Sequence, residues 1–346
     1  MVFVTTLFGV VIFRRWSLQR EMLDIPNERS SHSIPTPRGG GAIICLVCLT
    51  TFLVYLYLSS GKIYWAYIIG AMIVSLISMI DDLCTISAFW RFLCHGLAAG
   101  LVIWSVGGFE TLFVPFYGII QIGFFGKVIA FLWIVWLINA YNFMDGIDGI
   151  AATQAITAGM GWYFVGLLYN FEDIGFYGGV LAFSAFAFLI PNWQPAKIFM
   201  GDVGSAFLGY SFAILPLLSI KRIENPLGAA YLPWIAVWLV WFFVFDSMIT
   251  FLKRLFRGEK VWQAHREHIY QQLMIAGFSH QFVTLLYGTL SILPILILIV
   301  SLKYPDNYNK YVLFCICAET ILLCIFRFKR SYFAGLIYGH QQKSLK

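Results

Sequence analysis

Charge is scarce in this sequence. Asp, Glu, Lys and Arg together make up 12% of its 346 residues, against roughly 25% in a soluble globular domain. That deficit excludes an ordinary water-soluble enzyme. Cysteine frameworks are lacking as well. Among the seven Cys, Cys45 and Cys48, like Cys315 and Cys317, lie close together, but inside apolar runs without the flanks of a zinc or dithiol site. All seven read as small packing residues. There is no tandem repeat and no hydrophilic stretch long enough for a separate soluble domain, so residues 1–346 read as one membrane domain. A cleavable signal peptide is missing too, because Arg14 and Arg15 follow the first apolar run instead of preceding it. That run, residues 1–13, is short of the roughly 20 residues a spanning helix needs, which points to a start upstream.

What is abundant is apolar: 60% of the residues are hydrophobic and 18% aromatic. Apolar runs fall at about 1–13, 42–60, 63–80, 88–106, 126–141, 147–169, 174–190, 203–220, 231–252, 282–302 and 311–326. A segment crossing lipid must satisfy its own backbone hydrogen bonds. The expectation is therefore an all-α, polytopic integral membrane protein of about 10–11 transmembrane helices with its active-site loops on the cytoplasmic side. The net charge of +6 does not indicate nucleic acid, since the basic residues are spread over short loops. With the first N-terminus outside, seventeen Lys and Arg fall on one side and six on the other, so the first side is cytoplasmic. Five polar clusters, at 24–41, 81–87, 139–149, 191–202 and 253–272, all land on that face.

The first cluster ends in Arg38-Gly39-Gly40-Gly41 and leads into a helix. Glycine amides at a helix start suit a phosphate, with Arg38 adding a charge-assisted contact; a flexible loop is the plainer alternative. Asp81 and Asp82 are adjacent carboxylates at a membrane boundary, which repel unless a cation or water compensates. Arg91, in the next helix, faces headgroups or a bound phosphate. Asn139, Asn142, Asp145 and Asp148 recur every three residues and would share a face if helical. Their oxygens suit a Mg²⁺-linked diphosphate or the hydroxyls of a sugar and base. Asp202 is either an N-cap or a metal ligand near Lys197. His265, Arg266 and His268 lack a third zinc ligand and suit a diphosphate better. Asp246, and more weakly Glu319, are intramembrane carboxylates and so candidates in their own right.

Together these groups ask for phosphoryl transfer between a water-soluble and a lipid substrate, a reaction that needs mainly positioning and charge neutralisation. The ordered motifs Asp81-Asp82, NAYNFMDGIDG (139–149), FMGDVGS (199–205) and HREHIYQ (265–271) resemble those of the polyprenyl-phosphate N-acetylhexosamine-1-phosphate transferases (glycosyltransferase family 4) over roughly residues 14–326. The resemblance implies attack of undecaprenyl phosphate on a UDP-N-acetylamino sugar with release of UMP. It implies a requirement for Mg²⁺, with Mn²⁺ as a substitute, and a homodimer in the bacterial inner membrane. By the same resemblance Asp81 is the base with Asp82 beside it. Asp202 is the metal ligand, with Asp145 at the metal too. Asn139, Asn142 and Asp148 meet the nucleotide, and His265, Arg266 and His268 belong to a sugar-nucleotide loop. The glycine turn and the HREHIYQ loop match the O-antigen and common-antigen initiators better than the phospho-MurNAc-pentapeptide enzyme. Two other classes compete: an ion-coupled secondary transporter using Asp246, Glu319 and Asp82, and a lipid-diphosphate phosphatase.

Overall fold

A computed structural model describes residues 1–26, 34–59, 62–114, 116–261, 265–303, 316–321 and 324–325. Residues 27–33 of the first polar cluster, and much of the last apolar run, lie outside the described residues. Among the described residues up to 303, twelve helices follow in order: α1 Val2–Gln19, α2 Gly41–Ser59, α3 Trp65–Leu83, α4 Ala88–Val106, α5 Phe124–Met144, α6 Ile150–Tyr169, α7 Glu172–Asn192, α8 Asp202–Ile220, α9 Pro226–Leu239, α10 Trp241–Phe256, α11 Ile269–Ile275 and α12 His280–Lys303. Two antiparallel pairs complete the described fold. Strands β1 (Leu23–Asp24) and β2 (Thr36–Pro37) pair beside the glycine turn, and β3 (Thr111–Val114) with β4 (Gly118–Gln121) forms a hairpin between α4 and α5. The chain is an all-α polytopic membrane protein.

Among the described residues seven helices are long and apolar enough to cross a membrane, and α9 with α10 makes an eighth if counted as one bent span. Helices α1 and α6 have the length, 18 and 20 residues, without reaching the same apolarity. The expected 10–11 also counted α1, α6 and the run at 311–326, most of which lies outside the described residues. Two boundaries also shift. Helix α1 runs on through Arg14 and Arg15 to Gln19. The run at 231–252 is not one helix: it breaks at Val240 with a bend of 77°. The break stands inside the protein, where its freed carbonyl has a partner: Leu239 accepts the Gln154 amide of α6 at 2.8 Å. Gln154 in turn accepts the Ser291 hydroxyl of α12 at 3.0 Å. Irregular backbone at membrane depth is tolerated where such partners exist.

Helix α8 is the central post. All of its membrane-length window is buried, and it packs against α2, α3, α5 and α9. Its sequence, hydrophobic all round, is what a helix without a lipid or solvent face requires. At its N-terminal end α2 comes very close, and a Cβ built on Gly41 would stand 2.3 Å from the Gly204 Cα. Small residues allow such backbone contact between membrane helices. This crossing brings the start of α2, the end of α3 and the start of α8 to one point.

Candidate active site

Helix α3 ends with Asp81 and Asp82, and the fold gives the two carboxylates different partners. Asp82 is buried and accepts the backbone N–H groups of Asp202 at 3.1 Å and Val203 at 3.2 Å. The first turn of α8 has unsatisfied N–H groups, and Gly201 before it has no side chain to cap them, so α3 supplies the cap. Gly201 itself holds φ +75°, and a Cβ there would meet the Asp82 carboxylate at 2.7 Å. Arg38 donates to the Asp82 carbonyl and lies 4.0 Å from its carboxylate. Asp81 accepts the Ile86 N–H at 2.7 Å and Arg91 at 2.6 Å. Arg91 then reaches Asp202 at 3.4 Å. The expected repulsion between the neighbouring carboxylates is thus met by separate cations and separate N–H donors.

The glycine turn departs from its expected use. Gly40 donates to the Phe199 carbonyl at 3.0 Å and Gly41 to that of Met200 at 2.8 Å. These amides bind the 199–200 backbone to α2 and are not open to a phosphate. Gly39, at φ +91°, makes the turn just before them.

The residues 139–148 do not lie on one helical face. Helix α5 stops at Met144, with Asp145 as its C-cap residue. Asn139 turns its amide back to the Val135 carbonyl at 2.7 Å, whereas Asn142 hydrogen-bonds the Asp202 side chain. Asp148 accepts the Ala196 N–H at 3.0 Å, its carbonyl accepts the Thr284 hydroxyl at 2.9 Å, and its own N–H donates to His280 Nδ1 at 3.2 Å. It therefore pins the turn to the 194–198 loop and to α12. Burial, then the charges of Asp202, Asp82 and Asp148, hold the Asp145 carboxyl well above the usual carboxylate range.

These elements enclose a cleft of about 220 Å³. Its polar lining is Asp24, Arg38, Asp82, Asn142, Asp145, Asp148, Asn192, Asp202, Gln271 and His280, with Gly146, Ile147, Phe199, Met200 and Gly201 between them. All five polar clusters contribute. Asp81 and Arg91 stand behind this lining through Asp202. Lys197 is exposed and outside it; its carbonyl accepts Arg14 Nε at 2.9 Å.

Four expected contacts are placed elsewhere: Asp246, His265, Arg266 and His268. Asp246 is fully buried and accepts the Ile269 N–H (2.8 Å), the Tyr270 N–H (3.2 Å) and the Tyr287 hydroxyl (3.0 Å), with His268 Nδ1 at 3.2 Å. Its lone pairs are spent on holding α11, which leaves it as neither a substrate contact nor an ion-coupling carboxylate. His268 is buried in the same contact, between Phe143 and Tyr270. His265 has its pKa lowered to about 4 by burial first, then by its neighbours His268 and Arg254. Neither His nor Arg266 lines the cleft. Asp24, Asn192, Gln271 and His280 do, and sequence reasoning missed them. Gln271 is in a recognised motif and His280 follows a helix-ending glycine, but Asp24 and Asn192 carry no signal of their own.

A divalent cation fits part of this arrangement. Among the described residues no three His, Cys, Asp or Glu side chains form a complete cage. Mg²⁺ usually takes one or two carboxylates and fills its remaining positions with water and phosphate oxygens. Asp145, pressed by three neighbouring carboxylates, and Asp202 in the lining of the same cleft are two oxygen donors of that kind.

The profile of glycosyl transferase family 4 matches residues 64–220, a span that includes Asp81, Asp145 and Asp202. The chain is 30% identical over 289 residues to a probable undecaprenyl-phosphate N-acetylglucosaminyl 1-phosphate transferase of Bacillus subtilis, covering 80% of this chain and 76% of that protein. It is 30% identical over 309 residues to a decaprenyl-phosphate N-acetylglucosaminephosphotransferase of Mycobacterium leprae, covering 82% and 76%. A phospho-N-acetylmuramoyl-pentapeptide-transferase of Chlamydia caviae is 32% identical over 200 residues, 50% of this chain and 57% of that protein.

Proposed function

The chain belongs to glycosyl transferase family 4, the polyprenyl-phosphate N-acetylhexosamine-1-phosphate transferases, and from that premise we propose that it moves N-acetylglucosamine-1-phosphate, or a close N-acetylamino sugar phosphate, from a UDP-sugar to undecaprenyl phosphate. The observation that carries this reading is the cleft, where carboxylates, amides and Arg38 from five separated segments converge at the ends of membrane helices. The relatives named for N-acetylglucosamine transfer match 80% and 82% of this chain, and the pentapeptide transferases 50% and 62%, which favours the former donor. The product would start a lipid-linked O-antigen or other cell-surface polysaccharide. The excess of Lys and Arg on the cleft side supports a cytoplasmic site in the bacterial inner membrane. The resemblance supports a homodimer.

In the reaction, an oxygen of the lipid phosphate attacks the β-phosphorus of the UDP-sugar. The bond from that phosphorus to the oxygen bridging the α-phosphorus breaks, and UMP leaves with the electron pair. A phosphate monoester has a second pKa near 6, so the attacking oxygen is mostly deprotonated at neutral pH. Asp81 then has little proton to remove, and its bond to Arg91 (2.6 Å) holds that cation beside Asp202. Arg38, anchored on Asp82, offers a second cation to the diphosphate. Asn142, Gln271 and His280 supply hydrogen-bonding groups for the sugar or uridine. Asp145 and Asp202 would hold the Mg²⁺ or Mn²⁺ ion. The bound ion supplies neutralisation of the charge that builds on the leaving group.

Purified protein in detergent, given undecaprenyl phosphate, Mg²⁺ and a panel of UDP-sugars, tests this directly. Release of UMP is expected with UDP-N-acetylglucosamine or a close relative, dependent on lipid and divalent cation. Silence across the panel from folded protein would overturn the reading.

A further inference from the structure

Asp246 lies on α10, one side of the break, and its hydrogen bonds fix α11 (Ile269–Ile275) through the Ile269 and Tyr270 N–H groups. Tyr270 is fully buried. Its hydroxyl donates to the Phe143 carbonyl at 3.0 Å, one of the last-turn carbonyls of α5 that have no partner within the helix. The same hydroxyl lies against Gly146, where a built Cβ would meet it at 2.1 Å and the ring carbon bearing it at 3.0 Å. Phe143 and Gly146 flank Asp145 on either side. One ring therefore touches both ends of the turn that carries the most crowded carboxylate of the cleft.

We propose that Tyr270, seated by Asp246, is a positioning residue that fixes the α5 terminal turn and with it Asp145 toward the cation. The two ends of this link are the bent span and the cleft, so the geometry of the break at Val240 is transmitted to Asp145 through two side chains. The proposal rests on the reading of Asp145 as a carboxylate that meets a divalent cation. It does not give Tyr270 any contact with substrate, since the cleft lining reaches Gln271 but not Tyr270.

The test uses Mn²⁺ as the probe, its binding read by electron paramagnetic resonance on the full-length protein in lipid nanodiscs. Tyr270→Phe removes only the hydroxyl and leaves the ring packed. Its Mn²⁺ dissociation constant is expected to rise about three- to tenfold, the range of one lost hydrogen bond. The kcat of UMP release falls, and KM for the polyprenyl phosphate stays within about twofold, because nothing at the acceptor changes. Gly146→Ala weakens Mn²⁺ binding further, and adding Tyr270→Phe recovers part of that loss by removing the atom the new methyl meets. Wild-type Mn²⁺ affinity in Tyr270→Phe overturns the proposal, as does a double variant no better than Gly146→Ala. A wild type that releases UMP without saturable Mn²⁺ binding overturns the proposal alone. One that does neither overturns the functional reading with it.

Discussion

At the scale of single residues, the acidic side chains of the cleft divide by what their oxygens already hold. Asp82 caps α8 with both oxygens, whereas the described contacts of the Asp202 side chain are to the side chains of Arg91, Asn142 and Asp81. Opposite phenotypes follow. Asp82→Ala leaves two helix-terminal N–H groups without their acceptor and takes the carboxylate away from Arg38, and it is expected to lower stability by about 1–3 kcal/mol, read as a fall in the melting temperature. Asp202→Asn leaves its own backbone N–H on Asp82 intact. It is expected to melt near wild type while UMP release falls on the order of 100-fold or more, the scale of losing a transition-state electrostatic partner. A reversed pattern in the two assays would sink this division. Two adjacent identical letters do not tell that Asp81 pairs with Arg91 while Asp82 turns to α8, because the first pairing depends on how the α3–α4 turn folds and the second on a partner 120 residues away.

At the scale of elements, the loop between α10 and α11 is held by charge. Arg254 pairs with Glu259 at 2.8 Å and Glu267 at 3.0 Å, and Arg257 with the same two carboxylates. Burial works against the charged form of Glu267, but Arg257 and Arg254 outweigh it and lower its pKa below the ordinary 4.5. Its contribution is full above that value and is lost as pH falls through the lowered one. His265 acts in the same direction. Its folded form resists protonation down to about 4, against an ordinary 6.5, so stability drops as pH falls from 6.5 toward 4. The protection of the described residues 265–271, as exchange rates referred to the intrinsic rate at each pH, is expected to fall on acidification in that window, and a pH-independent protection factor would contradict the assignment. The break in the bent span has its own determinant. Gln154→Leu removes the donor to the Leu239 carbonyl and is expected to cost about 1 kcal/mol, measured by reversible unfolding in mixed micelles. Period and hydropathy predicted one helix at 231–252 because they register apolar content, and Val240 is as apolar as its neighbours. The break depends on a glutamine some eighty residues earlier.

At the scale of the whole molecule, the placement of charge is a statement about sidedness. Cys84 is exposed just beyond α3, at the cleft end of the bundle. Tyr117 is exposed at the tip of the β3–β4 hairpin, beyond the opposite ends of α4 and α5. A membrane-impermeant maleimide is expected to label Cys84 from the cytoplasmic side of oriented vesicles, and Tyr117→Cys from the other side. Labelling of both from one side would exclude the assigned topology.

The sequence by itself determined that this is a polytopic membrane protein, because composition and run length depend on no contact. It also picked out the five segments that line the cleft, since carboxylates and glycines at membrane boundaries stand out against an apolar background. Tertiary structure decided what each of those residues does. The Gly40 and Gly41 amides could hold a phosphate or a strand of backbone, and the 199–200 loop took them. Asp246 could face a substrate, an ion or a helix terminus, and α11 took it. Asn139 and Asn142 keep the same spacing, yet only Asn142 reaches Asp202. A polar group removed from water is claimed by whichever partner the fold brings within hydrogen-bond distance, and spacing along one chain does not identify that partner.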